Sequence, residues 1–226
     1  MAVVNSNYSL ERQNIYRLGA NHLVRTRSSE IARLWTHRLG DIIGALNQET
    51  VCEVGCGNGR NLLYLANRFN SIQFGGFELS EAGTKVAQQL QSFDLPDTSY
   101  GRHYGITSQG MTNVRRIAFQ QASAFNIPCK DGSSDVVYTF AALEQMGDGL
   151  DKALAEIRRV TGRYALFFEP FGDYNDHLGN AYLWSRNYFR LRTNDLKKHG
   201  FDVVKTWHAL PIKPTFAYAF ALCKPI

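Results

Sequence analysis

Three glycines at alternate positions follow a short apolar run, where residues 53–59 read EVGCGNG. Glycine adopts positive φ angles without a steric penalty, so this spacing predicts a tight turn whose backbone can approach a ligand closely. Residues 50–54 have the character of a buried strand, and residues 61–69 show the apolar spacing of a helix. The segment therefore predicts a strand–turn–helix unit with a ligand at its turn.

Strand-like and helix-like segments alternate along the rest of the chain, which is the pattern of βαβ units. Further strands are predicted at residues 71–79, 117–122, 135–140, 163–169, 201–207 and 216–224, and helices at residues 29–48, from Ser80 onward, at 150–160 and at 194–199. The pattern predicts an α/β fold with a doubly wound, mostly parallel sheet and helices on both faces. No helix separates the last two strands, so we expect them to pair antiparallel.

A length of 226 residues suits one structural domain. Within it we predict an N-terminal helical cap or arm at residues 1–48 and the main domain at residues 49–226. Residues 8–24 are expected to form one or two short helices or an ordered arm. Residues 93–115 and 170–190 are rich in glycine and polar residues, so we expect irregular loops there.

The glycine turn differs from the turn that binds dinucleotides. That turn has the pattern G-x-G-x-x-G, whereas here the third glycine comes one residue early and Arg60 takes its place. Glu53 ends the preceding strand, where it would repel a pyrophosphate and attract the α-ammonium of a methionine group. Glu78 ends the next strand and is a candidate acceptor for two ribose hydroxyls. These residues favour S-adenosylmethionine over NAD.

Taken together, these segments resemble the class I, Rossmann-like methyltransferases over most of residues 51–169. VCEVGCGNGRN at residues 51–61 matches the family's first motif, and Glu78 falls at the position of its ribose-binding acid. ASAFNIP at residues 122–128 resembles the segment that flanks the adenine, with Ser123 where the family has Asp. DGSSDVV at residues 131–137 is similar to the turn into the fourth strand. The resemblance implies a seven-stranded sheet whose last strand is antiparallel.

The resemblance implies S-adenosyl-L-methionine as cofactor and S-adenosyl-L-homocysteine as its product. The residues predicted to bind it come from the first motif, the second strand end, the adenine segment and the fourth strand: Glu53, Gly55, Cys56, Gly57, Asn58, Gly59, Asn61, Glu78, Leu79, Ser123, Ala124, Phe125 and Thr139. The four cysteines are scattered without metal-ligand spacing, so no metal site is predicted.

Acceptor-side residues are expected after the fourth and fifth strands. His177 is the candidate base, because only histidine titrates near neutral pH without perturbation, and Glu169 is the second candidate. Glu144, Tyr174, Tyr182 and Trp184 are the predicted substrate contacts. The segment after the fourth strand lacks the Asn/Asp-Pro-Pro-Tyr/Phe motif of enzymes that methylate planar amide or adenine nitrogens, which argues against those acceptors.

The favoured interpretation is methyl transfer to an oxygen or nitrogen of a small molecule, such as a sugar, a natural-product intermediate or an aromatic metabolite. A net charge of +5 leaves an RNA or protein methyltransferase as an alternative, although we expect no nucleic-acid partner. A non-catalytic relative that binds the cofactor is the third possible interpretation. No stretch is apolar enough to span a membrane, and residues 1–14 lack a secretory apolar region. We therefore expect a cytoplasmic protein without membrane contact. The sequence does not indicate the oligomeric state.

Overall fold

The computed structural model describes residues 13–18, 22–213 and 215–226. Its strands, numbered in chain order, are β1 (Gln13–Arg17), β2 (Leu23–Arg27), β3 (Thr50–Val54), β4 (Gln73–Glu78), β5 (Ala118–Gln121), β6 (Ser134–Phe140), β7 (Thr161–Glu169), β8 (Phe201–His208) and β9 (Ala219–Pro225). The α-helices are α1 (Ser28–Gly44), α2 (Arg60–Arg68), α3 (Glu81–Ser92), α4 (Ser99–Tyr104), α5 (Met111–Val114), α6 (Leu150–Val160) and α7 (His177–Ser185).

Seven strands form the central sheet, in the order β5-β4-β3-β6-β7-β9-β8. The first five pair in parallel, and β9 is antiparallel to both of its neighbours, β7 and β8. The predicted α/β fold with a mostly parallel, seven-stranded sheet is therefore confirmed. The direction in which successive strands are added reverses at β3, because β4 lies on one side of it and β6 on the other. Ligands of open α/β sheets bind at such a switch point.

Two apolar layers cover the two faces of the sheet. On one face α1 and α2 contribute Leu39 and Leu62, which are fully buried. On the other face α6 contributes Leu154 and Ile157. The predicted cap at Ser80 is confirmed, because its hydroxyl accepts a hydrogen bond from the Gly83 N–H at 3.1 Å at the start of α3. Among the described residues, no helix has both the length and the apolarity needed to cross a membrane.

For residues 8–24 the sequence predicted one or two short helices or an ordered arm, and the described part of this segment fits the arm and not the helices. Its described part is an antiparallel hairpin of β1 and β2, because Ile15, Tyr16 and Val24 favour an extended backbone and Tyr16 points inward, only 2% exposed. Residues 8–12 and 19–21 lie outside the described residues. The hairpin also joins the rest of the chain, since Arg17 exchanges two backbone hydrogen bonds with Ile212.

Both segments expected to be irregular contain helices. Residues 93–115 hold α4 and α5, whose residues Tyr104, Met111 and Val114 are buried against the core. Residues 170–190 hold α7, which begins where the Asp176 carboxylate accepts the Gly179 N–H at 2.8 Å. The expectation of loops was wrong, because buried apolar contacts stabilise short helices that the local sequence alone does not favour.

Candidate functional site

The glycine turn joins β3 to α2 at the carboxyl edge of the sheet. Gly55, Gly57 and Gly59 all have positive φ angles, of 75°, 54° and 74°. The backbone N–H groups of Gly55 and Cys56 donate to the carbonyl of Phe77 at 2.8 and 3.0 Å, which ties the turn to the end of β4. The turn therefore has the backbone conformation that its glycine spacing predicts.

Glu78 lies at the end of β4 beside this turn. One carboxylate oxygen accepts the Gly57 N–H at 2.9 Å, and the other accepts the N–H and the hydroxyl of Ser80 at 2.9 and 2.8 Å. The carboxylate is half-buried and thus fixed in orientation while it remains accessible. Such a group can exchange a backbone partner for the hydroxyl groups of a ligand.

A cavity of about 610 Å³ opens between the turn and the following strand ends. The residues predicted to bind the cofactor that line it are Gly55, Gly57, Glu78, Leu79, Ser123, Ala124 and Phe125. Leu79 and Phe125 contribute large apolar side chains to its wall and are 68% and 44% exposed. The cavity thus combines a fixed carboxylate, a glycine backbone and two apolar walls.

Ser123 shapes the cavity through hydrogen bonds within its own segment. Its hydroxyl accepts the Phe125 N–H at 3.1 Å, and its carbonyl accepts the Asn126 N–H at 3.0 Å. These bonds form a compact turn after β5 that directs Ala124 and Phe125 toward the cavity. A serine at this position therefore organises the segment even though it is shorter than an aspartate.

Glu53 lies beneath the turn rather than in the cavity wall, with only 1% of its surface exposed. Its carboxylate accepts hydrogen bonds from Asn61 Nδ2 at 2.9 Å and from the Tyr138 hydroxyl at 2.8 Å. Burial raises the pKa of Glu53 to about 7, although these two hydrogen bonds oppose the shift. Asn61 in turn accepts the Thr36 hydroxyl of α1 at 2.9 Å, so a buried polar chain links α1 to the turn.

The other predicted cofactor residues surround the cavity without lining it. Cys56 is buried, and burial raises the pKa of its thiol, so it fits a packing role better than a nucleophilic one. A Cβ at Gly59 would lie 2.5 Å from the Phe119 ring, so only glycine fits there. Asn58 is half-buried, and Thr139 is fully buried beside Glu169.

Glu169 anchors the turn that follows β6. One of its oxygens accepts the N–H groups of Ala142 and Leu143, both at 3.1 Å. The residue before them, Ala141, has a φ of 53°, which is uncommon for a residue with a Cβ. Burial raises the pKa of Glu169 to about 8, and the nearby Glu144 carboxylate adds to the rise. Because Ala141 and Ala142 line the cavity, Glu169 fixes part of its wall.

Glu144 stands next to this turn in an aromatic environment. Its two carboxylate oxygens accept the Tyr218 hydroxyl at 3.2 and 2.9 Å, and the residue is only 8% exposed. Tyr182 stacks on Phe216 with ring centroids 5.6 Å apart, and Phe216 packs against Tyr218. Two of the predicted substrate contacts, Glu144 and Tyr182, therefore belong to one aromatic cluster.

The remaining acceptor-side residues lie elsewhere. Tyr174 donates to the Thr206 hydroxyl on β8 and packs with the opposite apolar layer. Trp184 is 67% exposed, with the Arg190 guanidinium 5.4 Å from its ring centroid. His177 is exposed in the first turn of α7. None of these three lines the described cavity, and their assigned roles stay predictions.

Sequence reasoning missed several residues that the fold brings to the site. Those in the cavity wall are Ala122, Ala141, Ala142, Gln145 and Met146. Four of these five follow β6 directly, so the position after a central strand end was the signal that could have found them. For Tyr218 and Lys213 no local signal exists, because only the pairing of β9 with β7 brings their segment to Glu144.

A family model described as a methyltransferase domain matches residues 52–168. This range contains the glycine turn, Glu78 and all the residues that line the cavity.

Two curated proteins are similar to the chain over about half of its length. A norajmaline N-methyltransferase from Rauvolfia serpentina is 28% identical over 112 residues, which are 50% of this chain and 32% of the relative. An O-methyltransferase from Aspergillus sclerotiorum is 28% identical over 137 residues, which are 59% of this chain and 45% of the relative. The matched region thus spans less than half of each relative.

A solved structure shares the fold across most of the chain. Magnesium protoporphyrin IX methyltransferase from Synechocystis PCC 6803, with bound S-adenosylmethionine, superposes with a TM-score of 0.61. The superposition covers 87% of this chain and 81% of that one, at 14% sequence identity. At this identity the likeness shows a common fold.

Proposed function

The chain belongs to the methyltransferase domain family of class I, S-adenosylmethionine-dependent enzymes, and we propose that it methylates an oxygen or nitrogen atom of a small-molecule acceptor. The observation that carries the cofactor part is the cavity, whose walls combine the glycine turn, the Glu78 carboxylate and residues 123–125. These groups follow the neighbouring strands β3, β4 and β5 at one edge of the sheet, where ligands of such folds bind.

The residues around this cavity fit S-adenosylmethionine. Glu78 offers carboxylate oxygens of the kind that ribose hydroxyls need as acceptors. At Gly57 nothing lies within 4 Å of the position that a Cβ would occupy, so a ligand can approach the backbone there. The cavity volume of about 610 Å³ also falls within the range of small-molecule sites.

When bound, S-adenosylmethionine supplies a methyl group on a positively charged sulfur. The task of the chain is then to hold, align and dehydrate the reacting groups. We assign the ribose hydroxyls to Glu78, the two faces of the adenine to Leu79 and Phe125, and the methionine group to the backbone of Gly55 and Gly57. These assignments are supported by the fact that all five residues line the cavity.

Glu53 has an indirect role in the proposed cofactor binding. Because its carboxylate is enclosed by Asn61 and Tyr138, it supports the turn from below. The carboxylate lies beneath the turn whose backbone we assign to the methionine group, and a negative charge there would favour an α-ammonium group. A bound cation would in turn favour the ionised form of this carboxyl group, whose pKa burial raises to about 7.

Two observations support a small-molecule acceptor. The names of the two curated relatives specify N- and O-methylation, one of them of norajmaline. The aromatic cluster around Glu144 is enclosed, with Phe216 and Tyr218 less than one-tenth exposed, and this suits a compact acceptor better than a nucleic-acid strand. The cytoplasmic location stays a prediction of the sequence.

Calorimetric titration with S-adenosylmethionine, S-adenosylhomocysteine and NAD tests the cofactor part. We expect the first two to bind and NAD to show no binding. Glu78→Ala should weaken binding by about 1–3 kcal/mol, because it removes a charged hydrogen-bond acceptor. Glu81→Ala is the matched control, since Glu81 is exposed on the next turn and pairs with Lys85. Equal affinity of wild type and Glu78→Ala would contradict the assignment.

Formation of S-adenosylhomocysteine tests the acceptor part. A panel of small amines, phenols and sugars is compared with total RNA and with a peptide mixture. We expect turnover with members of the small-molecule panel. Methylation of RNA alone, together with binding that weakens steeply as salt rises, would overturn the small-molecule assignment in favour of a nucleic-acid acceptor.

A further inference from the structure

Lys213 holds its ammonium group among three aromatic rings beside a buried carboxylate. Its Nζ lies 6.0, 5.1 and 5.0 Å from the ring centroids of Trp35, Phe216 and Tyr218. The carboxylate of Glu144, hydrogen-bonded to Tyr218, attracts the same ammonium. These three rings and Glu144 are called the aromatic cage below.

The aromatic cage has the chemistry of an ammonium-binding site. Cations are attracted to the faces of aromatic rings, and clusters of such rings recognise alkylammonium groups in proteins. Its rings are held in place by contacts between themselves, since Trp35 lies 5.5 Å and Phe216 lies 5.2 Å from the Tyr218 ring. All three rings and Glu144 are less than one-tenth exposed, and low exposure to water strengthens such attraction.

Lys213 is well placed to leave the cage. It lies on the connection between β8 and β9 and is only partly buried, so its long side chain can turn its charge back to water. Burial lowers the pKa of its ammonium, although the Glu144 carboxylate opposes the shift. Removal of water from the Lys213 ammonium therefore offsets part of the attraction that Glu144 provides.

The aromatic cage is linked to the cofactor cavity by the segment that follows β6. Glu144 lies between Ala142 and Gln145, and both of these residues line the cavity, as does Met146. Tyr218 stacks on Phe168 at the end of β7, with ring centroids 4.9 Å apart. A molecule in the cage would thus lie at the acceptor side of the carboxyl edge of the sheet.

We propose that the aromatic cage binds a cationic amine of the methyl acceptor, and that Lys213 fills the cage until this amine displaces it. The inference rests on the proposed function and narrows the acceptor atom to an amine nitrogen. A protonated amine has no free electron pair and must lose a proton before it accepts a methyl group. Glu144 is the buried base that can take it: the N–H bond breaks, its electron pair stays on nitrogen, and an O–H bond forms on the carboxylate.

The test is calorimetric titration with choline and with 3,3-dimethyl-1-butanol, which has the same shape without the charge. Lys213→Ala opens the cage, so we expect it to bind choline about tenfold more tightly than wild type, and more tightly than the neutral alcohol. Lys213→Met refills the cage with an uncharged chain and should show no gain. Lys205→Ala should also show none, because Lys205 lies 5.3 Å from the Trp207 ring, outside the cage.

The proposal is overturned if Lys213→Ala binds choline no better than wild type, or no better than the alcohol. Thermal unfolding first establishes that the variant is folded, and Lys213→Ser takes its place if it is not. Each variant is also titrated with S-adenosylmethionine. If the Lys213→Ala variant binds the cofactor normally but does not bind choline, only the cage proposal is rejected. If the wild-type protein does not bind the cofactor, the proposed function is rejected.

Discussion

Gly55 and Gly57 have similar backbone conformations but different surroundings. Both have positive φ angles. A Cβ on Gly55 would lie 2.6 Å from the Cβ of Ala142, whereas one on Gly57 would meet nothing within 4 Å. The backbone conformation therefore favours glycine at both positions, and packing against Ala142 favours it further at position 55.

Alanine at each position separates these two causes. Gly57→Ala should lower the free energy of unfolding by about 1 kcal/mol, which is the cost of a left-handed backbone for a residue with a Cβ. Gly55→Ala carries the same cost and about 1–3 kcal/mol more, because Ala142 must move. Urea denaturation measures both losses. Equal losses would show that the contact with Ala142 has no energetic weight.

The turn after β6 depends on a side chain from the neighbouring strand β7. Glu169 accepts two backbone N–H groups of this turn, and the Ala141 N–H donates to the Phe168 carbonyl at 2.8 Å. With these bonds in place, Ala141 keeps a φ of 53° that the residue alone would disfavour. The geometry gives Glu169 a positioning role, while the role of a base stays a prediction.

Glu169→Gln and Glu169→Leu distinguish the hydrogen bonds of this side chain from its charge. Glutamine keeps an oxygen that can accept from Ala142 and Leu143, so we expect stability and cofactor affinity close to wild type. Leucine leaves both N–H groups unsatisfied and should lower the free energy of unfolding by about 2 kcal/mol or more. Urea denaturation and cofactor titration measure the two effects. A strong loss in the glutamine variant would point to the charge instead.

Two buried carboxyl groups couple the stability of the whole molecule to pH. Burial raises the pKa of Glu53 to about 7 and that of Glu169 to about 8, from 4.5. Between pH 4.5 and these values, the folded chain keeps protons that the unfolded chain has lost. Folding therefore becomes less favourable as pH rises through this window, by on the order of 3 kcal/mol for Glu53 and 5 kcal/mol for Glu169.

The pH prediction is tested by urea denaturation between pH 5 and pH 8. His37 works in the opposite direction, because burial lowers its pKa and its stabilising effect is lost as pH falls. The measurement is therefore the difference between wild type and Glu53→Gln. We expect the variant to gain stability relative to wild type as pH rises toward 7, with the exposed Glu81→Gln as control. A difference that does not depend on pH would contradict a raised pKa of Glu53.

Local sequence determined the strands of the central sheet and the conformation of the glycine turn. Strand β3 has its predicted bounds, and Ser80 caps α3, because both depend on neighbours within a few residues. The three glycines fix the turn in the same way, through φ angles that other residues avoid. The alternation of strands and helices then leaves few topologies, and the observed sheet is one of them.

Only the tertiary structure decided which side chains meet across the molecule. The helices within residues 93–115 and 170–190 are stabilised by buried contacts with distant segments, which short-range patterns do not encode. The pairing of β9 with β7 brings Tyr218 and Lys213 to Glu144, although both residues are far from Glu144 in the chain. The contacts of Glu144 depend on such long-range packing, whereas the glycine turn depends on local backbone geometry, and this difference explains why the sequence predicted the conformation of the turn but not the contacts of Glu144.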